Sequence, residues 1–206
     1  MIRTALTFIK NELDAYFVAR ENDPALYAPG SNVEMQALAA PAGAIDLNDN
    51  LHVYMMLAGL EEGRREGKRP LYMAADNNDL YKLNPPVELE LSLLFVAHRS
   101  SYPMALRDLT NVIAFFQANP VFDRQRYPAM NATVTEPDAT PWQLVDRLSF
   151  RMMNLGFEQQ NNLWAMIGTK YLPNVMYKVN VLTVFDTQPK EKAIPVSEFN
   201  IQEPQS

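Results

Sequence analysis

The sequence predicts an α+β (mixed α/β) fold, a single domain in which a mixed, mainly antiparallel sheet is flanked by about three helices. Three segments repeat apolar residues at steps of three and four, the spacing of amphipathic helices. Between them, other segments alternate their side chains at a period of two, which is typical of strands. The 206 residues are enough for one domain with a substantial core.

The first helix is predicted over residues 2–20. Its apolar stripe consists of Ile2, Leu6, Ile9, Leu13, Tyr16 and Phe17. The polar residues assigned to the opposite side are Arg3, Lys10, Asn11, Asp14 and Arg20. This distribution predicts a helix that buries one stripe, and Asp23-Pro24 and Pro29-Gly30 predict a loop after it.

Two short strands are predicted next, over residues 33–38 and 51–58, with a linker at 39–44. In 51–58 both alternating sets of side chains are largely apolar, which favours a strand covered on both faces. The charged segment 59–69, which has a glycine at every fourth position, is interpreted as a solvated loop or hairpin tip.

Residues 87–97 form the strongest predicted strand. One face is apolar along its whole length, at Val87, Leu89, Leu91, Leu93, Phe95 and Ala97. The other face begins polar and becomes apolar, in the order Glu88, Glu90, Ser92, Leu94 and Val96. This pattern predicts a second face that is covered over only part of its length.

A second helix is predicted over residues 103–118, with Ser101 as its N-cap and Pro103 in its first turn. Its apolar stripe consists of Leu106, Leu109, Ile113 and Phe116. The pair Asn119-Pro120 ends it.

The last third of the domain is predicted to contain a polar stretch at 124–142, a strand at 144–153, a helix at 157–167 and a strand at 175–185. Gly168 follows the helix in the position of a C-cap. The remainder is proline-rich, with only isolated apolar residues. We therefore divide the chain into a domain at 1–187 and an extended C-terminal tail at 188–206 without a core of its own.

Composition excludes several classes of function. Eighteen Lys and Arg against 24 Asp and Glu give a net charge of −6, which argues against nucleic-acid binding. The absence of cysteine removes disulfides, thiol nucleophiles and thiolate metal sites. The longest apolar run, 93–97, is far too short for a membrane helix, so no direct membrane insertion is expected. Lys10, Glu12 and Asp14 interrupt the N-terminal apolar stretch, which predicts cytoplasmic synthesis and assembly rather than secretion through a signal peptide.

No motif for a catalytic or cofactor site is present, so we expect a protein that is not an enzyme and has no cofactor or metal. His52 and His98 are the only histidines. Each could act as a general base, but no partner nucleophile is specified, which favours ordinary structural histidines. Glu88 and Glu90 share one strand face and could hold a cation or form an acid–base pair. A solvated face or a subunit contact explains them at least as well, and a small hydrolase using His52 or this pair is the remaining enzymatic hypothesis.

The segment 158–164 places a run of amides and a tryptophan on the third helix. Tryptophan often anchors buried contacts between proteins, and amides suit the rim of such a contact. Packing within its own core also explains Trp164 and is somewhat favoured, so two interpretations stay open for it.

Two segments carry a resemblance to a known family. They are PPVELELSLLFVAHRSSYPMALRDLTNVIAFFQANPVF at 85–122 and LSFRMMNLGFEQQNNLWAMIGTKYLPNVMYKVNVLTV at 148–184. The most specific parts are the block NNLWAMIG-KYLP-V-YKV within 161–179 and the block FFQANPVF at 115–122. Together with the opening IRTALTFIKNELDAYF, they resemble the N-terminal domain of tail-terminator (cap) proteins in extracellular contractile injection systems, the antifeeding prophage and Photorhabdus virulence cassette type.

The resemblance implies a structural protein that closes the inner tube of a phage-tail-like particle as a hexameric ring. It also implies contact with the terminal sheath layer and a fixed tube length. The partners would be further copies of the chain, the inner tube protein and the sheath protein, in a particle that is either released or anchored. A baseplate or tube-adaptor component of the same particle is the alternative. The candidate interface residues are Glu88, Glu90, Gln160, Asn161, Trp164, Tyr171, Phe199 and Ile201, and the last two are expected to pack against a neighbour when the tail orders on assembly.

Overall fold

The computed structural model describes residues 1–38, 47, 51–63, 71–74, 80–83, 88–137, 140, 143–183 and 191–193. Its helices are α1 (Ile2–Glu21), α2 (Tyr102–Ala118) and α3 (Phe157–Ile167), with a short 3-10 helix at Pro128–Asn131. Its strands are β1 (Val33–Met35), β2 (Val53–Glu62), β3 (Leu71–Ala74), β4 (Leu80–Leu83), β5 (Glu88–Ala97), β6 (Val121–Asp123), β7 (Val145–Met153), β8 (Asn174–Thr183) and β9 (Glu191–Ala193).

Six strands form the main sheet, in the order β1-β2-β5-β8-β7-β6. The β1–β2 pair is parallel and every other pair in this sheet is antiparallel. With three α-helices around it, this mixed, mainly antiparallel sheet confirms the predicted α+β fold. A second antiparallel sheet, in the order β3-β4-β9, was not predicted.

Helices α1 and α2 cover one face of the main sheet and build the larger core. From α1 the fully buried residues include Leu13 and Phe17, and from α2 they include Val112. They meet Leu93 and Phe95 of β5 on the sheet. Aromatic rings fill much of this core, in contacts such as the stack of Phe116 on Phe150 at a centroid distance of 4.5 Å.

Helix α3 covers part of the opposite face. Trp164 and Ile167 pack there against Tyr54 of β2 and against Leu94 and Val96 of β5. Strand β5 therefore has a core on each side, because successive side chains of a strand point to opposite faces. The predicted partial cover of its second face is confirmed.

Several local predictions were wrong. Strand β2 continues to Glu62, with a register shift between Leu57 and Gly59, so 59–62 is not a loop. Strand β1 ends at Met35 rather than at 38. The buried surface of α2 is rotated relative to the predicted stripe, so that Leu106 is 42% exposed and Asp108 is buried.

Asp14 was assigned to the polar side of α1 but is buried. Its carboxylate accepts hydrogen bonds from the backbone N–H of Gly30 (2.6 Å) and of Asn32 (2.8 Å). The Asn32 side-chain amide donates a third bond at 3.1 Å. These bonds satisfy the buried carboxylate and fix the loop after α1 against the helix.

The predicted tail contributes strand β9, which pairs with β4. The remainder of 188–206, including Phe199 and Ile201, lies outside the described residues. The division of the chain at 187/188 stays a prediction.

Candidate interaction surfaces

The part of the sheet face that α3 leaves uncovered carries alternating charges. Lys178 of β8 forms ion pairs with Glu90 of β5 and with Glu61 of β2, the latter at 3.3 Å between Nζ and Oε2. The two carboxylates hold the pKa of Lys178 above its usual value. This Glu–Lys–Glu arrangement crosses three neighbouring strands, since Glu61 is paired with Glu90 in the register and Lys178 lies opposite Ser92.

A shallow depression of about 200 Å³ lies beside these ion pairs. It is lined by Glu90 and Lys178, together with Ser149, Phe150, Arg151 and Asn180. Hydrogen-bond donors and acceptors, with charges of both signs, therefore line one shallow depression. Such a surface suits polar contact with another protein better than it suits an enzyme cleft.

Glu88 and Glu90 do not form a metal site in this arrangement. Glu90 is neutralised by Lys178, which competes directly with a cation. Within the described residues, no group of three or more His, Asp or Glu side chains is placed to hold a metal ion. Both glutamates are half-buried on the open face, so a contact role for them stays a prediction.

The outer side of α3 forms the second surface. Asn161 is exposed and Gln160 is half-buried, so amides of the predicted rim do reach the surface. Phe157, at the first position of the helix, is 94% exposed, and Met166 is 70% exposed. Neither residue was singled out from the sequence, where an apolar residue at a helical spacing is indistinguishable from a core residue.

Trp164 lies in the core beneath this surface, with only 5% of its area exposed. Its indole packs edge-on against Tyr171, at 5.7 Å between ring centroids, and Tyr171 is itself 60% exposed. The Nε1–H of Trp164 finds no hydrogen-bond acceptor in the described part of the chain. Of the two interpretations of Trp164, packing within its own chain is therefore the one observed.

The two histidines lie at the end of the sheet where β2 begins and β5 ends. His52 is buried just before β2, with its ring 4.5 Å from that of Tyr27 and its Nδ1 3.8 Å from Oδ2 of Asp108. Burial and the positive charge of Arg99 lower the pKa of His52 to about 4, although a hydrogen bond with the Leu26 backbone opposes the shift. The imidazole is therefore neutral at physiological pH.

Asp108 is the centre of this buried polar group. Its Oδ1 accepts a hydrogen bond from the Tyr27 hydroxyl at 2.7 Å, and its Oδ2 lies 3.3 Å from Nε of Arg99. Burial raises the pKa of Asp108 to about 6, while the Tyr27 hydrogen bond and Arg99 act in the opposite direction. These contacts join α2 to the loop after α1 and to the ends of β2 and β5.

This group has the residue types of a catalytic site but not its accessibility. His52, Tyr27 and Asp108 are each at most 2% exposed, so a substrate cannot reach them in this conformation. His98 follows β5, half-buried, with its ring 6.4 Å from Tyr54. The hydrolase hypothesis therefore has no accessible base at His52 and no unpaired carboxylate at Glu90.

A groove runs along the outer side of α1. It encloses about 370 Å³ between the helix and the loop that Asp14 holds. Ala15, Val18, Ala19 and Pro29 give it apolar walls, and Lys10 lies at the same site. We call it the α1 groove; none of the predicted interface residues lies in it.

None of the helices in the described part of the chain is long and apolar enough to span a membrane.

In the part of the chain that the structure describes, the titratable groups around Asp108 are sealed in the core, and two outer surfaces present exposed aromatic and paired charged side chains. Such surfaces are typical of proteins that act by contact with other chains. The comparisons agree with that class. A family model described as the Pvc16 N-terminal domain matches residues 4–198. The chain belongs to this family.

Two solved structures share the fold. One is described as the sheath/tube terminator, in the extended state, of an extracellular contractile injection system called PVC (TM-score 0.57, 15% identity, 97% of this chain and 63% of that one). The other is the tube-terminating cap of the anti-feeding prophage (TM-score 0.56, 16% identity, 95% of this chain and 60% of that one). The matched proteins are terminator or cap components and not enzymes, and no curated protein matches the sequence.

The chain spans somewhat more than half the length of the two cap structures it matches. The family resemblance read from the sequence is confirmed.

Proposed function

We propose that this chain caps the end of a phage-tail-like contractile injection particle, as part of an extracellular injection system. The observation that carries the proposal is the family match over residues 4–198, combined with a fold shared along nearly the whole chain with two terminator proteins. In this role the chain closes the inner tube as a hexameric ring, contacts the last sheath layer and fixes tube length.

The two outer surfaces give this role a physical basis. A ring of identical subunits needs two different patches on each copy, so that the contact repeats head to tail and closes. The α3 surface, with Gln160, Asn161 and Tyr171, and the charged sheet face, with Glu88 and Glu90, lie on the same side of the main sheet. We assign these residues to contacts with tube, sheath or neighbouring copies.

The gene deletion is the direct test. Particles made without this chain should have tubes of variable and excessive length, and many should lack a closed end. Electron microscopy of negatively stained particles measures both quantities. Tubes of normal length with closed ends would contradict the proposal.

Labelling the chain separates the cap from a baseplate or tube-adaptor component of the same particle. A tag bound by gold-labelled antibody should appear at the end opposite the baseplate. Label at the baseplate end would favour the adaptor. The native mass of the free chain tests the ring itself and not its position, since six copies of 23.4 kDa give a ring of about 140 kDa.

The C-terminal tail is proposed to act in assembly through Phe199 and Ile201. Because β9 pairs with β4, a truncation should keep residues up to 193 and remove 194–206. The shortened chain should retain the far-UV circular dichroism of the full chain but fail to enter capped particles. Normal incorporation of the truncated chain would show that the tail is dispensable.

A further inference from the structure

Phe157 is the most exposed large apolar residue in the described part of the chain, at 94%. Its backbone position is fixed, because it is the first residue of α3 and the preceding Gly156 N–H donates to Oε1 of Gln159 at 3.1 Å. A phenyl ring exposed at a fixed helix start could insert into a pocket of another molecule. Burying such a ring in a pocket strengthens an association by about ten- to hundredfold.

The α1 groove has the dimensions of the missing pocket. An apolar cavity of about 150 Å³ is enough to bind benzene. The groove, at about 370 Å³, therefore accommodates a phenyl ring, and Ala15, Val18 and Pro29 offer it apolar contacts. The groove exists before any partner binds, since Asp14 fixes Gly30 across from the helix.

Phe157 and the α1 groove lie on opposite sides of the main sheet, because α3 covers one face and α1 the other. A chain cannot insert its own ring into its own groove. Each copy offers one ring and one groove, so a contact between copies through these two features would be head to tail. Contacts of this kind generate closed rings when the rotation between subunits closes.

The charges beside the ring and in the groove also favour a contact between Phe157 and the α1 groove. Glu158 is exposed next to Phe157, and Lys10 lines the groove. When the ring of one copy enters the groove of the next, the carboxylate beside the ring and the ammonium lining the groove belong to the same contact. Opposite charges at the rim favour the correct partner and the rate of association more than they favour affinity.

We propose that Phe157 of one copy inserts into the α1 groove of the next copy and forms the repeating contact of the assembled ring. This inference rests on the proposed capping function and names the interface by which it is achieved. Every copy contributes both halves of the contact.

The cysteine-free sequence allows a direct test. Glu158→Cys, which leaves the Phe157 ring in place, and Ala15→Cys are made in separate chains, both are expressed together in cells producing particles, and purified particles are treated with a short bis-maleimide. The expected product is a mixed dimer carrying one cysteine of each kind. Arg3→Cys is the matched control, because Arg3 is exposed on α1 outside the groove; with Glu158→Cys it should give at least tenfold less dimer.

The outcomes separate the two levels of inference. Variant chains present in the particles, with no excess of the Glu158–Ala15 product over the Arg3 control, overturn the interface and leave the capping function standing. Wild-type chain absent from the particles overturns both. A mixed product that exceeds the control supports both.

A second pair of variants tests the contact without chemical modification. Phe157→Ser should lower incorporation of the chain into particles by about ten- to hundredfold in competition with the wild type, the effect of losing one buried phenyl ring. Met166→Ser, on the same helix and also exposed, should change incorporation less than threefold. Equal losses for both variants would overturn the assignment of Phe157 as the anchor.

Discussion

At the scale of single residues, the group around Asp108 places two titratable side chains in the core with their pKa values moved in opposite directions. Burial raises the pKa of Asp108 to about 6 and lowers the pKa of His52 to about 4. Between these values the folded protein carries its proton on Asp108, whereas the unfolded chain carries it on His52. The two contributions to the pH dependence of stability therefore largely cancel in this window.

Replacing His52 by Gln should reveal the contribution of His52 to the pH dependence of stability, which Asp108 masks in the wild type. The unfolded histidine protonates near pH 6.5 and the folded one near 4, so the wild type loses stability from this residue as the pH falls from about 6.5 to 4. Glutamine does not titrate. The free energy of unfolding of His52→Gln should therefore rise relative to wild type by up to roughly 3 kcal/mol over that window, measured by urea titration at several pH values. Parallel curves for the two proteins would contradict the buried, neutral imidazole.

The hydroxyl of Tyr27 gives a second residue-scale prediction. Tyr27→Phe removes the hydrogen bond to Asp108 and leaves a buried carboxylate with one donor fewer. We expect a loss of about 1–3 kcal/mol in the free energy of unfolding at pH 7. Tyr102→Phe is the control, since Tyr102 is 62% exposed, and it should change stability by less than about 0.5 kcal/mol. Similar losses in both variants would mean that the hydrogen bond contributes little.

At the scale of elements, α3 ends at a glycine that the backbone requires. Gly168 has φ 75°, and its N–H donates to the Trp164 carbonyl at 2.9 Å. Gly168→Ala should lower the free energy of unfolding by about 1 kcal/mol, because an alanine is strained in this left-handed conformation. Gly168→Asn should cost less, since asparagine tolerates the conformation better. Thermal unfolding measures the order, and an alanine variant as stable as the asparagine variant would contradict it.

The elements that the sequence predicts well are the long periodic ones. Helices α1, α2 and α3 and strands β5, β7 and β8 lie within a few residues of their predicted bounds, because each repeats its period several times. Strand β6 has only three residues, too few to display a period, and it was missed. The burial of Asp14 depends on donors from Gly30 and Asn32, which only the folded chain brings to the helix.

The candidate surfaces were predicted only in part for the same reason, because sequence patterns do not specify contacts between elements. The amides of α3 and the open half of the β5 face follow from spacing along one element. The Glu90–Lys178 pair and the α1 groove depend on how strands and loops are placed in space. The exposure of Phe157 depends on the entry angle of α3, which no local pattern specifies.

At the scale of the whole molecule, β5 joins the two cores. Leu93 faces the larger core and Leu94 the smaller one, and both are fully buried. Leu93→Ala and Leu94→Ala should each cost about 2–5 kcal/mol, and each should shift a single unfolding transition. Denaturation followed by both tryptophan fluorescence and far-UV circular dichroism checks this. Separate transitions for the two probes in the Leu94→Ala variant would show that the α3 layer unfolds independently.

The order of strands in the sheet also has a consequence during synthesis. Strand β5 is made early, but Leu89 pairs with Val181, which is 92 positions further along the chain. At about 5–20 residues per second, the ribosome needs roughly 5–18 s to supply that partner. During this interval β5, which is buried over its last seven residues in the finished fold, has one unpaired edge. We therefore expect the yield of folded chain to depend on growth temperature and chaperone supply more than on the stability of the finished fold.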